Sequence, residues 1–392
     1  MRVLLVHNFY RQPGGEDAEF EAEGRLLEAH GHEVVRYALD NADASGARLA
    51  AEMLWNPTSY ADVLALARRH RPDVVHFHNT FPRVSPAAYY AARAAGVPVV
   101  QTLHNYRLVC PNALLFRDGR PCESCVGMAV PWPGVVHGCY RGSPAASAGV
   151  AALLMAHRAA RSWTRTVDLF VTPTEFARRR CVAGGLPAHK LAVKPNAVDD
   201  VPSLGTGRGG YALYVGRLSP EKGVRTLLAA WSGDDDARPP LVVVGDGPLT
   251  GEVRAAAAER PDVTWLGQRS REDVAQLLAA ALCVVVPSHC YETFGRVVVE
   301  AFAAGTPAVV SRIGALEELV EDGVSGTLFT PGDPAAFAAA VRARAAADPC
   351  ETARWRHAAR AEYERHHHID RNYEMLLDLY HRVARPAAEV SG

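Results

Sequence analysis

Apolar residues in this chain fall into short continuous runs, and these alternate with longer stretches in which they recur every three or four positions. The short runs are rich in valine with some leucine, which predicts buried strands near Arg2–Val6, Glu33–Tyr37, Asp73–Phe77, Pro98–Thr102, Asp168–Val171 and Leu191–Lys194. The stretches between them predict helices near Ala18–Ala29, Tyr60–His70, Pro86–Ala95, Ala146–Trp163 and Thr174–Ala183. The second half repeats the form, with strands at Ala212–Val215, Leu241–Val244, Val263–Trp265, Cys283–Val286 and Ala308–Val310, each followed by a helical pattern. Alternation of this kind gives parallel sheets covered by helices on both faces. Near Asn196–Gly210, Pro202, Ser203 and four glycines interrupt any periodicity. The expected fold class is therefore α/β, with two doubly wound, Rossmann-like domains facing a central cleft. The expected boundaries are residues 1–196, with a cysteine-containing insertion at about 106–143, then 197–365, then 366–392. The helical stretch Ile369–Val383 has little left to pack on in the second domain.

Length agrees with two domains, because 392 residues with 48% apolar content exceed one comfortable core. The formal charge of −1 comes without a long run of either sign, which argues against non-specific nucleic-acid binding. The arginine-rich patches at Arg68–Arg71, Arg158–Arg165 and Arg178–Arg180 read as solvated helix faces, with contact to an anionic membrane as the alternative. No charged leader precedes the first strand, and the apolar run Ala145–Ala156 is too short to span a bilayer. The expected location is the cytoplasm, at most peripheral to the inner face of the membrane.

Three segments of the second half carry chemistry. Cys290–Gly305, C-Y-E-T-F-G-R-V-V-V-E-A-F-A-A-G, puts Glu292 before a helix and Glu300 within it. Backbone amides of Thr293, Phe294 and Gly295 at that helix start favour an anion or hydroxyl oxygens. An ordinary amphipathic helix packed through Val297, Val298, Val299 and Phe302 would satisfy the same pattern. Tyr214–Gly223 reads as a strand, a turn at Gly216 and a helix beginning near Pro220, with Arg217 at the strand end and Lys222 in the helix's first turn. A cation there opposes the helix dipole unless an anion lies nearby. Val242–Pro248 is a buried strand entering the turn Gly245, Asp246, Gly247, where backbone can approach a ligand, although such turns also end strands for conformational reasons alone.

In this order and spacing, G-R-L-S-P-E-K-G, V-V-G-D-G-P and Y-E-T-F-G-x-x-x-x-E-A resemble the nucleotide-sugar-dependent retaining glycosyltransferases of the GT-B fold, family four. The resemblance implies that Arg217 and Lys222 bind the donor diphosphate, that Glu292 contacts the transferred sugar and that Glu300 binds the ribose. It also implies that the final helix crosses back to the first domain.

In the first half, Asn8–Asp17 follows the first strand and brings Gly14 and Gly15 to the sheet's carboxyl edge, where ligands bind in open α/β folds. Pro-Gly-Gly is also a plain turn; the resemblance favours phosphate contact. His104 follows the strand Pro98–Thr102. Such a histidine is commonly a structural hydrogen-bonder, and the resemblance places it near the sugar's anomeric centre. Cys110, Cys122, Cys125 and Cys139 lie in one Pro- and Gly-rich segment, with three readings open: a structural zinc, packed reduced thiols, or a disulfide pair. Cys181, Cys283, Cys290 and Cys350 read as buried apolar residues.

Beyond Glu292 the motifs offer no second carboxylate placed as a glycosidase-like nucleophile or base. No Asp-x-Asp pair stands where a divalent ion could bridge phosphates, and Asp234–Asp236 reads as a solvated turn, so no catalytic cofactor is expected. The expected activity is transfer of a hexose-type sugar from a nucleoside-diphosphate sugar, UDP before GDP, to an acceptor hydroxyl in glycan or natural-product biosynthesis. A nucleotide-sugar epimerase and a non-catalytic sugar-nucleotide-binding protein are the alternatives. A dinucleotide-dependent oxidoreductase lacks its G-x-G-x-x-G after the first strand.

Overall fold

The computed structural model describes residues 1–10, 14–41, 46–198, 204–233, 235 and 237–384. Pro202, Ser203, Asp234 and Asp236 of the sequence reading lie outside them. Two compact units divide the chain: one holds 1–114, 123–197 and the residues from Asp370 onward, the other 115–122 and 198–369.

The first unit is built on a parallel sheet of β1 (Arg2–Phe9), β2 (Glu33–Asp40), β3 (Val74–Phe77), β4 (Val99–Thr102), β7 (Leu169–Thr172) and β8 (Leu191–Val193). The intervening β5 (Phe116–Arg117) and β6 (Arg120–Pro121) form a separate two-stranded hairpin. The sheet order β2-β1-β3-β4-β7-β8 reverses direction between β1 and β3. Successive side chains of a strand point to opposite faces, and β1 uses both. Leu4 and Val6 join a core with Val75, Phe77 and Phe170, while Val3 and Leu5 join Phe20, Leu27 and Val74. The C-terminal helix Ile369–Ala384 belongs to this second face through Leu376, Leu379 and Tyr380, all buried.

The second unit carries β9 (Ala212–Val215), β10 (Leu241–Val244), β11 (Val263–Gly267), β12 (Cys283–Val286), β13 (Ala308–Ser311) and β14 (Gly326–Phe329) in the order β11-β10-β9-β12-β13-β14. Every pairing is parallel and the order reverses between β9 and β12. Leu213 faces a core with Val298 and Phe302, and its neighbours Ala212 and Tyr214 face Trp231 and Phe337. In doubly wound sheets ligands gather outside the carboxyl ends of the strands where the order reverses. In each unit that edge is therefore the place to look.

Four local features differ from the pattern read in the sequence. A helix at Gly46–Leu54 was not expected. The helix expected over Ala146–Trp163 is two, Pro144–Ala159 and Ser162–Thr166, because Arg161 takes a left-handed conformation at φ 54°. β14 opens on glycine and is too short to show periodicity, yet it pairs along its length with β13. Finally, Pro220–Lys222 is a single 3₁₀ turn, and the α-helix that follows starts at Val224.

Candidate active site

That last correction organises the second unit's edge. Gly223, at φ 71°, breaks the 3₁₀ turn from the helix, and a side chain there would run into the carbonyl oxygen of Pro287 just beyond β12. Glycine thus lets the segment after β9 lie against the segment after β12. The amide of His289 donates to the carbonyl of Glu221, 2.9 Å, and locks the two together. Lys222 is consequently not in an α-helix's first turn. Its Nζ lies 2.6 and 2.8 Å from the two carboxylate oxygens of Glu292, and the hydroxyl of Ser288 donates to the same carboxylate at 2.6 Å. The anion that Lys222 requires is thus Glu292. Burial pushes the Lys222 amine down and the Glu292 carboxyl up, but their mutual attraction wins at both, holding Lys222 above the ordinary lysine range and Glu292 below the ordinary carboxylate range. Lys222 remains a third exposed.

Arg217 is exposed at the same edge, after Gly216, and its carbonyl accepts the hydroxyl of buried Tyr214 at 2.8 Å. The helix bearing Glu300 begins at Arg296 with Gly295 as its N-cap. Phe294 is buried in the core, so its ring anchors the loop, while Thr293 and Gly295 stay half-buried. Glu300 accepts from Nε of Arg296, one turn back, at 2.8 Å.

The turn after β10 is held by contacts of its own. Gly245, at φ 136°, packs onto the backbone of Gly216 with no room for a side chain. Asp246 accepts from the amide of Gly247 at 2.7 Å and from the hydroxyl of Thr250. The Gly245–Gly216 packing and the amide of Leu218 donating to the carbonyl of Asp246 join the loops after β9 and β10, so the turn sets the backbone that carries Arg217.

At the first unit's edge, Gly14 caps the helix Gly15–Ala29, and its amide donates to Asp17 at 2.8 Å. That amide is spent within the helix start. Among the described residues no neighbour lies within 4 Å of where a side chain on Gly14 or Gly15 would project. Beside them stands Glu16, which accepts from the side chain of Asn105 at 3.2 Å. Burial raises the Glu16 carboxyl to about 7, against the lowering pull of Asn105.

His104 follows β4 and meets His78, which follows β3, with Nε2 3.1 Å from Nδ1 and the rings stacked. Behind them lies a buried polar cluster. Glu23 is 2.7 Å from Nδ1 of His76 and 3.3 Å from Nε2 of His78, and Nζ of Lys194 is 3.4 Å from its other oxygen. Sequence reasoning missed this cluster, although H-F-H at the end of an apolar strand, Val74–His78, was a signal for it. Among the described residues it is also the one set of three or more side chains with metal-ligating atoms gathered. His76 already bonds Tyr380 and Thr102, each at 2.8 Å, and Lys194 supplies the positive charge. Within the first unit, Cys110, Cys125 and Cys139 do not gather in that way. The thiol of Cys110 donates to Asn112 at 2.9 Å and that of Cys125 points to the carbonyl of Pro131 at 3.9 Å. Cys350 is exposed rather than buried.

A titration consequence follows for Glu16. A carboxyl whose folded pKa lies above its unfolded value binds its proton more tightly when folded, so stability is present at low pH and falls as pH rises from about 4.5 to about 7. Glu16→Gln should therefore be more stable than the parent at pH 8, by on the order of 2 kcal/mol, and indistinguishable from it at pH 4. Thermal melts of both proteins across that range measure it; parallel curves would mean that Glu16 is well solvated.

Comparisons with known proteins identify the lineage. Residues 22–201 match the family described as Glycosyltransferase Family 4, and residues 209–346 match Glycosyl transferases group 1. A D-inositol 3-phosphate glycosyltransferase of Frankia alni is 30% identical over 306 residues, which span 72% of this chain and 69% of that one. The chain belongs to the family 4, group 1 glycosyltransferases. Mycobacterium tuberculosis glycogen synthase is 40% identical over 154 residues, 38% of this chain, and the match spans only 36% of that relative's length. Among solved structures, Anabaena HepE in complex with UDP superposes with a TM-score of 0.67 at 21% identity, covering 97% of this chain and 99% of that one. Sucrose-phosphate synthase of Thermosynechococcus elongatus does so with 0.71 at 19%, covering 97% and 98%. The fold is the family's GT-B pair of Rossmann-like domains. Among the described residues no helix is long and apolar enough to cross a membrane.

Proposed function

We propose that this protein is a retaining glycosyltransferase that moves a hexose-type sugar from a nucleoside-diphosphate sugar, UDP before GDP, to an acceptor hydroxyl. The observation that carries the reading is the Lys222–Glu292–Ser288 cluster at the strand-order reversal of the second sheet, with Arg217 exposed beside it. Solved complexes of HepE with UDP and with UDP-glucose support the choice of donor. In this scheme the bond from the anomeric carbon to the phosphate oxygen breaks as the acceptor oxygen bonds on the same face. The acceptor's proton passes to the departing phosphate oxygen, so the protein needs no base of its own. Arg217 and Lys222 stabilise the charge that grows on the diphosphate, and Glu292 keeps Lys222 in place until the donor arrives.

A thermal-shift panel of UDP, GDP and their sugar conjugates tests the reading, since a bound donor stabilises by mass action. UDP and UDP-sugars should raise the melting temperature most; no shift with any nucleotide would overturn the proposal.

Roles within the donor site separate by titration. Glu300→Gln should weaken binding of the bare nucleoside diphosphate about tenfold, the loss of one charged hydrogen bond to a ribose hydroxyl. Glu292→Gln should leave that affinity nearly unchanged while lowering turnover with the sugar donor, because its contact strengthens as the sugar becomes cationic. Calorimetry of both variants decides. Equal losses would mean that the sugar has been misplaced.

A further inference from the structure

The helix Pro334–Ala345 of the second unit packs inward through Phe337, Val341 and Arg344, so an arginine completes a stripe that apolar residues begin. Arg344 is 2% exposed. Its Nε and Nη2 donate to the hydroxyl oxygen of Thr327 on β14 at 3.1 and 2.8 Å, which fills one edge of the guanidinium. The other edge, formed by Nη1 and the second hydrogen of Nη2, differs. Nη1 is buried and, among the described residues, meets no acceptor. The guanidinium carbon lies 3.6 Å from the centroid of the Trp355 ring, on the helix Pro349–His366, and the indole Nε1–H of Trp355 is a second buried donor without an acceptor. Two donors in want of an acceptor are thus neighbours. The carboxylates whose fields reach Arg344 are those of Glu351 and Asp322, and they pair elsewhere, with Arg354 at 3.7 Å and Arg312 at 2.6 Å. The last turn of a helix favours a cation, but its partial charge gives Nη1 no acceptor.

We propose that this edge of Arg344 holds a small monovalent anion of chloride size, with the indole N–H of Trp355 as its second donor. A buried guanidinium without a counter-charge is costly. A water molecule would accept the same hydrogen bonds and leave the charge uncompensated, whereas an anion answers both needs. Burial sets the size, since Arg344 and its stripe neighbours Phe337 and Val341 are closed off from solvent, and a single atom suits such a place better than phosphate. The ion joins three elements: β14, the helix Pro334–Ala345 and the helix Pro349–His366. β14 ends the sheet and pairs with β13 on one side only, so a contact made through the Thr327 side chain secures the edge that the ladder leaves open. Occupancy therefore stabilises this end of the second unit. The inference does not depend on the transferase reading.

Melting temperatures of the full chain at constant ionic strength, with sodium gluconate exchanged for sodium chloride, test it. Above the dissociation constant each tenfold rise in chloride should raise the melting temperature by about 3–5 °C, because only the folded protein has the site. Arg344→Met extends the apolar stripe and needs no counter-ion, so its melting temperature should not respond to chloride. Arg312→Met removes an exposed arginine and should respond as the parent does, which separates a specific site from a general salt effect. A parent no more chloride-dependent than Arg344→Met overturns the proposal, and so does an Arg312→Met protein that loses the dependence as well. Diffraction from crystals soaked in sodium bromide needs no variant. An anomalous peak against Nη1 of Arg344 supports the site, and a map without one overturns it. Should Arg344→Met fail to fold, the bromide map decides alone.

Discussion

Lys222→Met should lower turnover with the sugar donor by two to three orders of magnitude, the loss expected when one pre-placed cation is withdrawn from a developing diphosphate charge. The same substitution removes the charge that faces Glu292, which is 12% exposed and also accepts from Ser288, so some instability will accompany it. The double variant Lys222→Met/Glu292→Gln separates the two effects. It removes both charges and should recover stability, because an absent buried pair costs less than half of one. Turnover should stay low, since neither the diphosphate nor the sugar regains its contact. Steady-state kinetics beside denaturant melts of the three variants are sufficient, and recovery of wild-type turnover in the double variant would reduce the pair to a structural salt bridge.

A second large effect belongs to Lys194. Its side chain is 2% exposed, donates to Asn372 at 2.9 Å and to the carbonyl of Pro195 at 3.0 Å, and faces Glu23 and Glu19 at 3.4 and 3.9 Å. Lys194→Met would leave two carboxylates, each 1% exposed, without their counter-charge. The expected loss is about 3–5 kcal/mol of unfolding free energy. Because Asn372 lies on the C-terminal helix, amides of Ile369–Ala384 should lose hydrogen-exchange protection first. A loss under about 1 kcal/mol, with that helix still protected, would show that the network tolerates an apolar replacement.

The strands and the motif positions were legible because each depends on near neighbours in the chain. Ala212–Val215 is an apolar run entering Gly216, and that is what the structure contains. What escaped is what depends on distant partners. Nothing local says that Lys222 and Glu292, seventy residues apart, share a hydrogen bond. Lys222 was placed in an α-helix because Pro220 suits a helix start, and only the packing of Gly223 on Pro287 reveals the break. Glu19 and Glu23 look like the solvated side of an amphipathic helix by composition. They are in fact buried, since charged neighbours from other strands meet them. Glu16 was overlooked for a related reason, as its unusual affinity for a proton comes from burial that no local pattern encodes.

The discontinuity of the first unit bears on how the protein comes to be folded. Proteins made on the ribosome ordinarily complete their N-terminal domain before the next emerges. Here all six strands of the first sheet are made early, yet Leu376, Leu379 and Tyr380, which cover one face of it, are made last. Until then Lys194 lacks Asn372, His76 lacks Tyr380 and the apolar surface of Val3 and Leu5 lacks part of its cover. The second unit, continuous from Val198 to Ile369 apart from one short hairpin, has most of its own core to hand as soon as it is synthesised. Maturation should thus run against the direction of synthesis, and a nascent chain stalled before Ile369 should expose a sticky, half-finished N-terminal half for chaperones to hold.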